Sequence, residues 1–357
     1  LTIQYAIDQA QNDDIIHVAA GTYVENINYN GKNISVIGED PETTIIDGNN
    51  TGRVVIMGGP FPSSLSNFTI QNGTGSMNAR GSGINAPGNV ILNNLIVKNN
   101  TNSTAEGAGI FFDCSLNEIP ILKNSLIIGN NGDGITCSSG KPLIDNVTII
   151  NNSLGIYLRP NASGSHPTVI NSIIYGNSDN NQIIMSSGGN AYLSAIDISY
   201  CLVQGGQSSI SQVLNDTINW GSGNIDVDPM FVDTTNGNYH LLATSQLINA
   251  GHPDSTDSDG TRADIGAYPY LNTYSGPTWY VSAADGNNTT ATGASAAPFK
   301  SIQSAINFAT TTGDSVTVAA GTYVENVNFR GRNIKVVGAD RETTIIDGDS
   351  SGTVVLF

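Results

Sequence analysis

Six phrases between Ser66 and Gln204 repeat one pattern: SNFTIQN, NNLIVKN, NSLIIGN, DNVTIIN, NSIIYGN and ISYCLVQ. Aligned on their last residue, they place Asn72, Asn99, Asn130, Asn151, Asn177 and Gln204 in one column, at intervals of 27, 31, 21, 26 and 27 residues. Two positions earlier stand Ile70, Val97, Ile128, Ile149, Tyr175 and Leu202; four earlier stand Phe68, Leu95, Leu126, Val147, Ile173 and Tyr200. Side chains of a strand alternate between faces, so these three columns share one face, expected to be the inward one. GSGI, GAGI, GDGI, SLGI and NQII bring Ile84, Ile110, Ile135, Ile156 and Ile183 into a second column of similar period. A unit of about 26 residues cannot enclose a core alone and gains one by stacking on its neighbours. Three short strands with their turns fill such a unit. Stacked at the ~4.8 Å strand spacing, these coils make an all-β parallel β-helix.

In this geometry the amide column reads as a structural ladder. Each side-chain amide bonds the same group one coil above and below, and Asn tolerates the left-handed backbone of a tight turn. The column beside it, Thr69, Ile96, Ile127, Thr148, Ile174 and Cys201, faces outward in this alignment. Isoleucines on a flat exposed sheet call for a covering loop or a second chain.

A longer period overlies the short one. GTYVENINYNGKNISVIGEDPETTIIDG from Gly21 returns as GTYVENVNFRGRNIKVVGADRETTIIDG from Gly321, an offset of 300 residues. Ahead of each copy, TIQYAIDQA and SIQSAINFA carry apolar residues at Ile3, Ala6, Ile7 and Ala10, and at Ile302, Ala305, Ile306 and Ala309. That spacing predicts a short amphipathic helix, which suits the cap that an open β-helix end requires. The stretch Thr278 to Lys300 predicts one strand and a loop. The expected organisation is a first module over residues 1–272, a linker at 273–277, and the start of a second module over 278–357. The chain opens on Leu1, without Met or a signal peptide, and reads as a piece of a longer precursor.

The composition agrees with a solenoid and narrows the partners. Charged residues make up only 12 % of the chain, too few for long helices, and Gly is frequent. A net charge of −17, with no basic cluster beyond Arg330, Arg332 and Lys335, argues against nucleic acid as a partner. No run is long and apolar enough to span a membrane. Three cysteines, Cys114, Cys137 and Cys201, make no disulfide framework, and Cys114 and Cys137 are offset badly for a bridge.

The phrases WYVSAADG, PFKSIQSAI, VAAGTYVENV, NIKVVGADRETTIIDG, NIDVDPMFVDTTNGNYHL and DGTRADIGAYPY resemble secreted right-handed parallel β-helix proteins of the pectin-lyase-like superfamily. The module start is similar to pectin methylesterase and its non-catalytic relatives. The resemblance implies a fold and export from the cell, and it leaves function open, because this superfamily hosts lyases, hydrolases, esterases, epimerases, adhesins and inert scaffolds. The esterase-like match stops near Gly48, before the esterase's aspartates, arginine and glutamine would follow. None of His17, His166, His240 and His252 lies in the Gly-His-Gly turn of a polygalacturonase.

Three groups of residues remain as candidate sites. A lyase would use a Lys or Arg base beside acids, and Asp133, Lys141, Asp145 and Arg159 fall on neighbouring coils. The loop PDSTDSDGTRAD sets Asp254, Asp257, Asp259 and Asp264 around Gly260, partly like a calcium loop but without its terminal bidentate Glu. A turn-forming loop in which Arg262 pairs with one Asp is the alternative. Asn-x-Ser/Thr triplets at Asn67, Asn102, Asn146, Asn161, Asn215 and Asn288 face outward or lie in loops in this alignment, as glycan attachment requires. The reading that results is a non-enzymatic extracellular scaffold of tandem modules, a filament, sheath or adhesive layer. Its partners would be neighbouring modules or copies end to end, and cell-surface polysaccharide. The alternative is a lyase-like polysaccharide enzyme or a carbohydrate-binding β-helix.

Overall fold

The computed structural model describes residues 2–58, 62–75, 80–103, 107–160, 164–186, 193–213 and 215–357. Strands β1 (Ser63–Gln71), β2 (Val90–Lys98), β3 (Ile121–Ile128) and β4 (Leu143–Ile150) lie side by side, all parallel, within a 13-stranded sheet of the described residues. An eight-stranded sheet, from Ile27–Asn28 to Ile210–Ser211, forms the other wall. With about 26 residues per turn, the fold is the parallel β-helix expected from the sequence. The isoleucine column holds as aligned, since Ile84 pairs with Ile110, Ile110 with Ile135, Ile135 with Ile156, and Ile156 with Ile183. All five are fully buried. Each contributes about 2–3 kcal/mol of apolar transfer.

The four long strands bend without ending. The corner residues are Asn67, Asn94, Asn124 and Asn146, at φ of 64°, 52°, 50° and 54°. A second left-handed corner follows five positions on, at Asn72, Asn99, Gly129 and Asn151, with φ of 57°, 55°, 62° and 56°. Asn171 with Gly176, and Tyr200 with Gly205, continue the two series. Asn and Gly are the residues that accept this backbone at least cost, and here they alternate within one column.

That alternation corrects the ladder. Lys98 pairs with Ile128, Ile128 with Ile150, and Ile150 with Tyr175, so Asn99 stands beside Gly129 and not beside Asn130. The buried ladder is Asn100, Asn130, Asn152 and Asn177. Asn100 Nδ2 donates to Asn130 Oδ1 at 3.0 Å, Asn130 Nδ2 to Asn152 Oδ1 at 2.8 Å, and Asn152 Nδ2 to Asn177 Oδ1 at 3.2 Å. Gln182 ends the run by accepting from Asn177 Nδ2 at 2.8 Å. Of the six expected members, only Asn130 and Asn177 belong to it. Asn72, Asn99 and Asn151 are the corner residues just before it, and Asn99 and Asn151 are exposed. Gln204 lies outside the ladder and accepts from the Gly176 N–H through Oε1.

The same one-residue slip moves the isoleucines. Ile127 and Ile174 point into the core with Ile70, Val97 and Ile149. The outward column is Thr69, Ile96, Leu126, Thr148, Ile173 and Leu202, and all but Ile96 are buried by the chain itself. At Thr69 the cover is visible: its Oγ1 donates to Pro41 O. No second chain is needed there. The three cysteines are buried free thiols.

Both predicted cap helices form, α1 (Ile3–Gln9) and α2 (Ile302–Phe308). The duplicated phrase supplies their end caps. Glu25 accepts the Ile3 and Gln4 N–H groups, and Glu325 accepts those of Ile302 and Gln303, so the VEN glutamate closes each N-terminus. Lys32 Nζ donates to Ile7 O, Asp8 O and Ala10 O at 2.7–2.8 Å, and Arg332 donates to Ile306 O at the same end of α2. Gln4 exchanges two hydrogen bonds with the Asn28 backbone, as Gln303 does with Asn328.

The chain divides into two units, Leu1–Asp226 and Val227–Phe357, whereas the sequence placed a linker at 273–277. The reason lies in residues 227–272, which lock onto the second cap helix. Asn307 Nδ2 donates to Ala243 O and Ser245 O, Asn249 Nδ2 donates to Asn307 O, and Arg330 donates to Ile248 O. Trp279, Phe299 and Phe308 stack beside Tyr270 in the same unit.

Candidate functional site

The flank expected to carry lyase chemistry is occupied otherwise. Asp145, in β4, pairs with Lys123 of β3 at 3.2 Å and accepts from Asn171 Nδ2 at 3.0 Å. Asp133 opens the strand Asp133–Ser139 of the other sheet, is buried, and accepts from Thr136 Oγ1 at 2.7 Å. Lys141 is exposed in the turn before β4. Arg159 follows the strand Leu154–Leu158, whose first residue pairs with Asp133. Five strand residues, roughly 17 Å at 3.3 Å each, therefore separate Asp133 from Arg159. A base and its acids must meet within hydrogen-bond reach of one reacting atom. The structure does not bring these four residues to one point.

The acidic loop is a set of turns. Asp257 Oδ2 accepts the Asp264 N–H, Asp259 accepts from Thr261 N, Thr261 Oγ1 and Asn272 N, and Asp264 accepts from Asn249 N and Tyr270 N at 2.7 Å each. Burial pushes the Asp264 carboxyl up to about 8, helped by the Asp257 charge, and burial pushes Asp257 up to about 6. The Asp254 side chain is 93 % exposed beside His252. Among the described residues no three His, Cys, Asp or Glu side chains are grouped to hold a metal. The four aspartates expected to bind calcium hold backbone N–H groups or face solvent. Arg262 spans the loop, its Nε donating to Gly251 O.

The candidate glycan sites divide. Asn102 is buried, Asn67 Nδ2 donates to Gly38 O, and Asn288 Nδ2 donates to Ser301 Oγ, so none of these three offers a free amide. Asn146 is a half-buried corner residue. Asn215 is exposed, and Asn161 lies outside the described residues.

One feature escaped the sequence reading. A cleft of about 680 Å³ in the second unit is bounded by residues 249–275, the start of strand Thr278–Val281, and the end of α2 with the loop after it. Its aromatic residues come from three phrases read separately, the linker (Tyr274), the first strand of the second module (Trp279) and the second cap helix (Phe308), so nothing in their spacing marked them as one surface.

A family described as a protein of unknown function (DUF1565) matches residues 284–330, which hold the second cap helix and the first strands after it. No curated protein matches in sequence. Among solved structures, the PL6 family alginate lyase AlyGC is similar at 10 % identity with a TM-score of 0.21, over 95 % of this chain. A mutant of that enzyme gives 12 % identity, a TM-score of 0.27 and the same 95 % coverage. The chain spans 66 % of the length of those enzymes.

Proposed function

We propose that the chain is a structural, non-enzymatic module of a tandem β-helix protein, exported and displayed at or beyond the cell surface. The observation that carries this reading is where its polar side chains go. The buried amides stack on one another, the duplicated Glu and Lys/Arg close helix ends, and the buried aspartates hold turns. A solenoid built this way resists bending and unravelling, which is what a filament, sheath or adhesive layer asks of its units. Repetition at an offset of 300 residues supports growth by tandem addition, with neighbouring modules as the first partners. The test is incubation of the full chain with pectin, alginate and glycosaminoglycans, followed for unsaturated sugars, methanol and reducing ends. No turnover is expected. Reproducible turnover lost in Lys141→Ala or Arg159→Ala would overturn the reading.

A further inference from the structure

We propose that the cleft in the second unit is a binding site for a neutral pyranose sugar, outside the β-helical coils and independent of the scaffold role. Its volume, about 680 Å³, lies within the ordinary range for small-ligand sites. Its aromatic lining is Tyr274, which is half-buried, with the buried Trp279 and Phe308. Tyr274 is a prepared platform, because its ring meets Trp279 edge-to-face at 5.2 Å and its hydroxyl is anchored to Thr278 O at 2.6 Å. The ring therefore keeps its place whether or not a ligand is present, and its apolar face suits the C–H face of a sugar ring.

The same lining holds short hydroxyl side chains, Thr273, Ser275, Thr310 and Thr311, each able to donate and to accept. Asn249 also lines the cleft, and its buried Oδ1 has no hydrogen-bond partner among the described residues. Charge decides against an acidic sugar. Asp259 and Asp314 outnumber Arg262 in the lining, and Arg262 already donates to Gly251 O and Ala250 O. The whole chain carries −17, which repels an anion before contact. A fixed aromatic ring among many weak donors and acceptors fits a ligand with a hydroxyl on nearly every carbon.

The experiment titrates the full chain with the methyl pyranosides of glucose, galactose and mannose, and with galacturonic acid, reading tryptophan fluorescence and ligand saturation-transfer NMR. At least one neutral glycoside should bind saturably, and more tightly than galacturonic acid. Ser275→Trp, at an exposed position on the rim, should weaken that binding at least tenfold with an unchanged melting temperature. Tyr274→Ala should weaken binding as far, with a lower melting temperature because its ring packs on Trp279, while Tyr274→Phe, which keeps the ring, should stay within threefold of the parent. No saturable binding by any of the three glycosides would overturn the proposal. So would tighter binding of galacturonic acid, or binding that survives both Ser275→Trp and Tyr274→Ala.

Discussion

Replacing Asn152 by Ala, with Asn151→Ala as its neighbour control, separates the buried ladder from the corner beside it. Asn152 is fully buried, and its Oδ1 accepts both the Asn130 N–H at 3.0 Å and Asn130 Nδ2 at 2.8 Å. Its Nδ2 donates to Ile127 O and Ile150 O at 3.0 and 3.1 Å. In Asn152→Ala, Asn130 Nδ2 keeps Val97 O, but the Asn130 N–H is left with no acceptor in a dry interior. One such orphan costs about 1–3 kcal/mol, and the lost amide bonds add about 1 kcal/mol, so we expect a loss of about 2–4 kcal/mol. Asn151 is exposed at φ 56°, and Ala there takes on the cost of a left-handed backbone, about 1 kcal/mol. Urea unfolding followed by far-UV circular dichroism measures both. Because coils of a solenoid can unfold in steps, the midpoint of the first transition is the quantity to compare. Equal losses, or a larger loss at Asn151, would refute the register on which the ladder rests.

Other perturbations reach the caps and the closing segment. Lys32→Met removes three donations to the end of α1 and should lower stability by about 1–3 kcal/mol, seen as a lower melting temperature that added salt does not restore. Asn307→Asp turns a carboxylate toward Ala243 O and Ser245 O, and Arg330 on its other oxygen offsets part of the cost; a net loss of about 2 kcal/mol should appear as faster hydrogen exchange across residues 243–249. Asp264 keeps its proton to about 8 when folded and releases it near 3.8 when unfolded, so the stability it confers is complete below 3.8 and lost as pH rises through 8. Calorimetry should find the parent's melting temperature falling from pH 4 to 8 and a shallower fall in Asp264→Asn; parallel curves would contradict the buried carboxyl.

The sequence revealed the solenoid, its period, the isoleucine column and both cap helices, because each rests on local spacing that survives stacking. The ladder was legible only to within one residue. Asn99 and Asn130 look equivalent as letters, yet the equivalent backbone states are Asn99 and Gly129. Aligning on residues that accept positive φ, Asn or Gly alike, would have set Asn100 beside Asn130. The acidic loop is legible only as composition, for a different reason. Carboxylates that serve backbone N–H groups and carboxylates that ligate a cation have the same composition, and only the donors from Asn249, Tyr270 and Asn272 tell them apart. Those donors lie up to 15 residues away in sequence.

The two cap helices share their end caps and differ on the face turned away from the core. Where α2 presents Ser304, Asn307 and Phe308, α1 presents Tyr5, Asp8 and Gln9, and Arg330 answers to Asn30. The closing segment 243–249 recognises Asn307 and Arg330 through bare carbonyls, so it would meet repulsion at Asp8 and find no guanidinium at Asn30. The repeats are therefore interchangeable as coils but not as neighbours. The side chains that meet segment 243–249 on the second cap are absent from the first, so this closing segment fits one cap and not the other. A gene that shuffled or multiplied such repeats would keep the coils at every step, yet the contacts of segment 243–249 would re-form only on a cap that carries the matching side chains.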